Sequence, residues 1–369
     1  MVKPNDPVKK YRKELGVAVV GTGRMGSQRA SLAAAHPAVR FLAVSDINAS
    51  RAQEVGGKVG AQIISEDNLK VISHPEVNAV IVSTPEPEHT LPVIQALEMG
   101  KPVLVEKPIA LRLEDADKMI AAAAHNKTEL RVGYTRRFQR RYVLAKEQIV
   151  QGRLGQIVGG IARVYNSRAQ AFQILKRCAH ATPVLDVLTY QVDMFGWFLA
   201  ENAPVEVVAR GQKGVFKAAG YSADDVTWAI VTYADGAVIN LGVDYALPEK
   251  YPSLGQSIRL EVLGTEGVIL LDGDCKEQIL YTNRGAKHGY VPDHTVNMAF
   301  LGTSSSGDWA LGDFWGPFTD ETRTWLDHLA TGRPCIHTTP EEARTTLEVT
   351  LAIERAVQTK EAVTLPLSA

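Results

Sequence analysis

The sequence is poor in cysteine: Cys178, Cys275 and Cys335 are the three in 369 residues, far apart and odd in number. That spacing excludes a disulfide framework and a paired zinc motif, and it fits a reducing cytoplasm. No stretch approaches the roughly 20 apolar residues that a membrane-spanning helix needs. The first fourteen residues, MVKPNDPVKKYRKE, lack an apolar run behind a basic start. A secretory signal is therefore not expected, and residues 1–14 read as a solvated tail. Neither sign of charge is in surplus, with 40 basic against 41 acidic side chains and a formal net charge of −1. Nothing in that balance calls for a nucleic-acid or membrane partner, although a local group of arginines would not show in the total. What is present is a chain 45% hydrophobic and 22% charged, able to bury a large core and long enough for two domains.

The first third alternates short apolar runs with helical patterns. LGVAVVG (15–21), VRFLAVSD (39–46), NAVIVST (78–84) and KPVLVEK (101–107) read as strands, with helices between them. This rhythm predicts an α/β domain, a doubly wound parallel sheet, over 15–135. Beyond it the pattern changes. A helix through YVLAKEQIV leads to the strand QIVGGIARVY and a helix from Pro183 to Leu199. The strands VEVVARG, DVTWAIVTYA, AVINLGVD, SIRLEVLG, GVILLDG and EQILYTN then follow closely, with turn signals at Asp235-Gly236 and Gly264-Thr265-Glu266-Gly267. An α+β domain with a large, mostly antiparallel open sheet is expected over 136–369. The segment 284–316 shows no clear period and reads as a long loop, a lid or an oligomer arm. Two helices close the chain.

Gly21-Thr22-Gly23-Arg24-Met25-Gly26 follows a strand and opens a helix, the setting in which this spacing cradles a dinucleotide. Gly21 permits the tight turn, Gly23 a close approach to the pyrophosphate, and Gly26 close packing of helix on sheet. The anion rests on free N–H groups at the helix start. Asp46, twenty residues beyond Gly26, suits the adenosine ribose hydroxyls, and its charge favours NAD over NADP; Arg51 nearby pulls the other way. Asp46 can also be read as a helix N-cap. Thr84-Pro85-Glu86-Pro87-Glu88-His89 follows another strand end, where His89 either approaches the cofactor or caps the next helix.

Glu106-Lys107-Pro108 ends a further strand and can present the lysine ammonium to the crevice above the sheet, near a nicotinamide. In the Pro183 helix, with Thr182 as its N-cap, Asp186, Tyr190, Asp193 and Trp197 fall at i, i+4, i+7 and i+11. They form one stripe that is polar except at its end, among Val, Leu, Met and Phe. A buried helix tolerates such a stripe where something polar faces it. Arg136, Arg137, Arg140 and Arg141 cluster after the first domain, and Arg163, Arg168, Lys176 and Arg177 precede the Asp/Tyr helix. The first group reads as a solvated face, or Arg136 or Arg137 binds substrate oxygens or a carboxylate bidentately, which would suit a carboxylated substrate. No His/Cys/Glu spacing suggests a metal.

These motifs together resemble the glucose–fructose oxidoreductase, inositol dehydrogenase and rhizopine-catabolism (Gfo/Idh/MocA) family. GTGRMG, Asp46, TPEPEH, VEKP, GYTRRF (133–138), the D-V-L-T-Y-Q-V-D helix and GTEG (264–267) run in family order. The resemblance implies an N-terminal Rossmann domain holding NAD through Gly21, Thr22, Gly23, Arg24, Met25, Gly26, Asp46, Ile47, Arg51, Thr84, Pro85, His89, Glu106, Lys107 and Tyr134. It implies a catalytic group of Lys107, Asp186 and Tyr190, where Tyr190 stands in place of the family's usual histidine, as in some other members. Arg136, Arg137, Arg163, Asp186 and Tyr190 would then meet substrate, and the open sheet would form a homo-oligomer interface. The expected activity is hydride transfer between nicotinamide and a hydroxyl-bearing carbon of a sugar, inositol or related polyol. A carboxylated cyclic dihydrodiol is a second substrate class. A redox-neutral glycosidase or epimerase retaining NAD, and a non-catalytic sugar or dinucleotide sensor, are readings of other classes.

Overall fold

The six residues of β1 (Leu15–Val20) are buried on both faces, as the centre of a parallel sheet covered by helices requires. The computed structural model describes residues 13–367, apart from 180, 201, 252–255, 274–278, 288–292, 301–307 and 311–312. Cys275 and nearly all of the expected tail lie outside the described residues. Two units are formed, one from residues 1–138 and 317–344, the other from 139–316 and 345–369.

In the first unit β1 is followed by α1 (Arg24–Ala34), β2 (Val39–Ser45), α2 (Ala49–Val59), β3 (Ile63–Ser65), α3 (Asn68–Ile72), β4 (Ala79–Val82), α4 (Thr90–Glu98), β5 (Val103–Glu106), α5 (Leu113–His125) and β6 (Leu130–Gly133). The sheet order is β3-β2-β1-β4-β5-β6, with all pairs parallel. Succession runs outward from β1 in one direction and from β4 in the other, so the carboxyl ends of these two adjacent strands flank the switch point where such sheets bind ligands. The sequence pattern did not reveal β3 and β6, which are only three and four residues long.

The second unit contains α6 (Arg140–Val150), β7 (Ile157–Ser167), α7 (Arg168–Arg177), α8 (Thr189–Phe198), β8 (Pro204–Gln212), α9 (Val215–Ala218), β9 (Val226–Tyr233), β10 (Val238–Leu247), β11 (Ser257–Gly264), β12 (Val268–Asp272), β13 (Ile279–Lys287), β14 (Thr295–Phe300), β15 (Asp308–Ala310) and β16 (Asp313–Trp315). Helix α10 (Pro317–Thr331) belongs to the first unit, and α11 (Pro340–Thr359) and β17 (Val363–Thr364) close the chain. Seven strands pair in the order β12-β11-β7-β10-β9-β8-β17, antiparallel except for the parallel β7–β10 pair. Both expected hairpin turns are present, and Gly236 takes φ +92°, which a side chain would resist. One face of the sheet packs on α8: Val192, Phe195 and Phe198 share a core with Ala162, Val164, Ile239, Leu241 and Val243.

Three expectations change. The segment 284–316 is not simply a loop, because β13 runs into it and β14, β15 and β16 form two small antiparallel sheets. The helix expected over Pro183–Leu199 opens with a π-helical segment, Val184–Leu188, in which the Thr189 N–H reaches back five residues to the Val184 carbonyl. The wider turn breaks the regular i, i+4, i+7 stripe at its Asp186 end. Finally, a single cut at 135 does not describe the chain: α10 returns to the first unit, where Trp325, Leu326 and Ala330 pack with Val17, Val19, Leu42 and Ile81.

Candidate active site

At the carboxyl end of β1, Gly21 takes φ +87°, and a Cβ there would lie 2.7 Å from the Ser83 carbonyl oxygen. A Cβ on Gly26 would collide with the Gly21 carbonyl, so the first helical turn must pack backbone to backbone. A Cβ on Gly23 would meet nothing within 4 Å, which leaves open space beside the start of α1. No side chain caps that helix. Next to it, at the end of β4, Ser83 Oγ and Thr84 Oγ1 are buried with no hydrogen-bond partner. Unsatisfied hydroxyls beside an uncapped helix start are what a pyrophosphate-bearing ligand would satisfy.

Asp46 is buried after β2 and its carboxylate is saturated with donors. Oδ2 accepts from the Thr22 N–H (2.8 Å), the Thr22 hydroxyl (3.1 Å) and Arg51 Nε (2.9 Å). Oδ1 accepts from the Asn48 N–H (2.9 Å) and Arg51 Nη2 (2.6 Å). Burial alone would raise its pKa, but the Arg51 guanidinium and the Thr22 and Asn48 donors hold it at about 2. Asp46 does not cap α2; Asn48 does, its side chain accepting from the Arg51 N–H. Ile47, 85% exposed, leaves an apolar surface beside this carboxylate.

His89 is buried, with Nε2 3.1 Å from the Thr84 carbonyl oxygen and Nδ1 3.0 Å from that of Pro108. It makes no side-chain cap on α4; it joins the TPEPEH turn to the E-K-P turn. Burial lowers its pKa, and a neutral ring has one N–H to share between two carbonyls. Lys107 follows β5 and is half-buried, and the Glu106 carboxylate beside it accepts from Arg29 Nε at 2.9 Å. Tyr134 is buried behind β6, while Arg24, at the first position of α1, is exposed.

In the second unit, Thr182 Oγ1 accepts from the Leu185 N–H at 3.2 Å, which is the expected cap. Asp186 accepts a short hydrogen bond from the hydroxyl of Tyr245, a fully buried residue of β10. Tyr190 is half-buried near the start of α8, and Asp193 is buried on the same helix. Two fully buried amides stand out: neither the oxygen nor the nitrogen of Asn166 or of Gln191 has a hydrogen-bond partner. Asn166 lies on β7 one step past the Tyr165–Asp244 pair, which puts it alongside Tyr245 on the helix-facing side of the sheet.

The arginines separate. Arg136 and Arg137 are buried rather than solvated, and Arg137 Nη1 donates to Glu342 at 2.9 Å. Arg141 donates to the Gln139 side chain (2.7 and 3.1 Å), and Arg140 is exposed. Arg163 alternates with Ala162 and Val164 and so points to the opposite sheet face from α8, where it donates to Ser257 (2.9 Å) and covers Tyr165. The structure therefore does not bring Arg163 to the Asp186 end. Arg168 donates to the Ala246 and Leu247 carbonyls, and Lys176 is exposed; the Arg177 side chain lies outside the described ones. Among the described residues one group, Glu129, His328 and Cys335, brings possible metal ligands within 4.8 Å of one another. Arg131, 3.3 Å from Glu129, already supplies a cation there.

Tyr245 and Asn166 in the second unit, and Arg29 and Glu321 in the first, are neighbours of expected site residues within their own units that the sequence does not single out. Only Asn166 carried a signal, being in phase with Ala162 and Val164 at an otherwise apolar strand face.

Residues 15–134 match the family model described as an oxidoreductase family with an NAD-binding Rossmann fold, and residues 142–270 match the GFO/IDH/MocA C-terminal domain. The chain is 28% identical over 281 residues to a scyllo-inositol 2-dehydrogenase (NAD(+)) of Bacillus subtilis, covering 75% of this chain and 79% of that one. It is 26% identical over 357 residues to a myo-inositol 2-dehydrogenase of Thermotoga maritima, covering 95% and 98%. The crystal structure of scyllo-inositol dehydrogenase from Lactobacillus casei with NAD(H) and scyllo-inositol superposes with a TM-score of 0.77 at 19% identity, over 95% of this chain and 99% of that one. The glycine turn, the acidic residue after β2 and both matched domains thus agree: this chain belongs to the Gfo/Idh/MocA family and is an NAD-dependent oxidoreductase.

Proposed function

We propose that the chain oxidises a secondary hydroxyl of an inositol or a closely related cyclic polyol. The observation that carries this reading is the polar group at the head of α8. Asp186 is held by Tyr245, and beside Tyr245 lies the buried, unsatisfied amide of Asn166. An amide offers an acceptor and two donors, and a ring hydroxyl offers one donor and two acceptors, so a polyol satisfies what the protein leaves open. The names of the relatives support the same substrate class.

Bound NAD would supply the hydride acceptor, with Gly21, Gly23, Ser83, Thr84 and Asp46 as its holders. The chain's own residues manage the proton. Tyr190 takes it from the reacting hydroxyl, Lys107 stabilises the developing alkoxide, and Asp186 orients the neighbouring hydroxyl. A phenol, with an ordinary pKa near 10, needs a cation to make it a competent base, and a lysine ammonium is such a cation.

The test is NADH formation with NAD⁺ and a panel of myo-inositol, scyllo-inositol, aldoses and a carboxylated cyclic dihydrodiol. Turnover is expected with an inositol. Turnover with the dihydrodiol alone would overturn the polyol reading, and substrate conversion without net NADH would point to redox-neutral chemistry. The carboxylate-binding alternative loses one of its supports, because Arg137 is already neutralised by Glu342.

The sheet face away from α8 supports self-association. Leu270, Glu261, Ile161, Asn240 and Ile230 follow one another across β12, β11, β7, β10 and β9, with Trp228 next to this row. Leu270 is 67% exposed, and Ile161, Trp228 and Ile230 are each above 40%. Exposed apolar side chains recurring across adjacent strands, with Glu261 and Asn240 between them, fit an interface between copies of the chain. Sedimentation is expected to give a multiple of the chain mass, shifting toward monomer in Trp228→Asp/Ile230→Lys. A monomeric wild type at micromolar concentration would sink this.

A further inference from the structure

Arg29 is the least expected buried residue of the first unit. It sits on α1, three residues after Gly26, with no exposed surface. Its guanidinium is fully used: Nε donates to Glu106 (2.9 Å), Nη1 to the Thr322 hydroxyl (2.7 Å) and Nη2 to Glu321 (2.5 Å). Its carbon centre lies 4.0 Å from the ring centre of Phe318. Glu321, also without exposed surface, accepts in addition from the Thr135 hydroxyl at 3.1 Å. Thr322, Glu321 and Phe318 belong to α10, Thr135 follows β6, and Glu106 ends β5. One cation therefore joins four segments of a single unit. The fit is close, since a Cβ on Gly133 would stand 3.1 Å from Arg29 Nη2 and 3.4 Å from Glu106 Oε2.

We infer that Arg29 is a positioning residue for the reaction: through the Glu106 carboxylate it fixes the turn from which Lys107 projects. The inference rests on the reading of Lys107 as a group that acts on the reacting hydroxyl. Glu106 is covalently next to Lys107, and its side chain is the one member of the network attached to that turn. A carboxylate gripped by a buried guanidinium has little freedom, because any slip leaves two desolvated charges unpaired. The residue after it inherits that constraint. Displacement of a catalytic group by about 1 Å costs on the order of 100-fold in rate, so a rigid anchor has a kinetic consequence that general packing lacks. Glu321 sets the charge balance. Burial and the nearby Glu106 push its carboxyl above the usual carboxylate range, while Arg29 pulls it down. A lysine in place of Arg29 keeps the charge but cannot bridge three acceptors in a plane.

Arg29→Lys and the charge-balanced double variant Arg29→Met/Glu321→Gln test this, with Lys107→Met measured alongside. The double variant avoids leaving two carboxylates facing each other without a cation; should it not fold, Arg29→Lys carries the same readouts. Hydrogen exchange at the amides of residues 105–110 is expected to quicken at least about tenfold while the β1 and β4 amides stay protected. With the polyol that the wild type turns over, kcat is expected to fall about 10- to 100-fold, with KM for NAD⁺ within about threefold. Unchanged exchange in the 105–110 segment, or kcat within twofold of wild type, would overturn the inference. Normal turnover in Lys107→Met would instead remove the reading of Lys107, and the exchange rates would still decide whether Arg29 anchors the turn.

Discussion

Tyr190→Phe is expected to lower kcat by about 10²- to 10⁴-fold while leaving NAD⁺ affinity nearly unchanged. The substitution removes one oxygen and keeps the ring, so the packing of α8 against β7 and β10 is preserved. On the proposed relay, what is lost is the group that would accept the hydroxyl proton as hydride leaves the same carbon. Lys107→Met, which keeps the aliphatic stem and removes the ammonium, should have a loss of the same order. Tyr190→His should retain measurable activity, because imidazole is a base in its own right. Its ordinary pKa near 6.5 against about 10 for a phenol implies that the rise of kcat with pH moves to lower pH. The measurement is kcat against pH with NADH detection for all three proteins. If Tyr190→Phe and Lys107→Met both turned over within a few-fold of wild type, the proton-transfer assignment would have to be given up.

The second large effect concerns cofactor choice. Asp46→Ser should raise the ratio of kcat/KM for NADP⁺ to that for NAD⁺ by about 100-fold or more. Two changes act together. A carboxylate ionised down to about pH 2 no longer opposes a 2′-phosphate, and Arg51 loses its bidentate partner and becomes available to one. Hydrogen bonds to charged groups contribute roughly 1.5–3 kcal/mol each, which converts to about 10- to 150-fold. Asp46→Ser/Arg51→Ala separates the two, since it removes the repulsion without supplying the cation. Arg51→Ala alone should keep NAD⁺ binding, because it vacates positions on both Asp46 oxygens for ribose hydroxyls. An unchanged cofactor ratio in Asp46→Ser would show that Asp46 does not face the ribose. The low pKa also has a consequence for stability. A carboxylate depressed in the folded state stabilises it above the ordinary Asp value near 3.8, and that contribution fades as pH falls toward 2.

The nucleotide half was legible because its signals are local. A glycine turn must follow a strand and open a helix, and the acid at the end of β2 follows at a fixed distance; Gly21, Gly26 and Asp46 all stand where that logic puts them. Period-two and period-3.6 patterns likewise revealed every strand longer than five residues up to β13. Features requiring long-range partners were not legible. An arginine on α1 reads as a surface residue until α10, nearly 300 residues later in the chain, brings Glu321 and Thr322 to it. The π-helical segment was hidden because Asp186, Tyr190, Asp193 and Trp197 also satisfy an ordinary helical spacing. For Arg163 the needed information was present: its alternation with Ala162 and Val164 already assigns it to the other face of β7 from Asn166.

Because Trp325 and Glu321 enter the first unit from α10, the nucleotide-binding half is not complete when its first 138 residues leave the ribosome. Synthesis must pass through six of the seven strands of the second unit's sheet before the cation at position 29 meets its second carboxylate. Until then the guanidinium has only the first of its two carboxylates, Glu106, and must stay hydrated on its other side, next to the glycine turn.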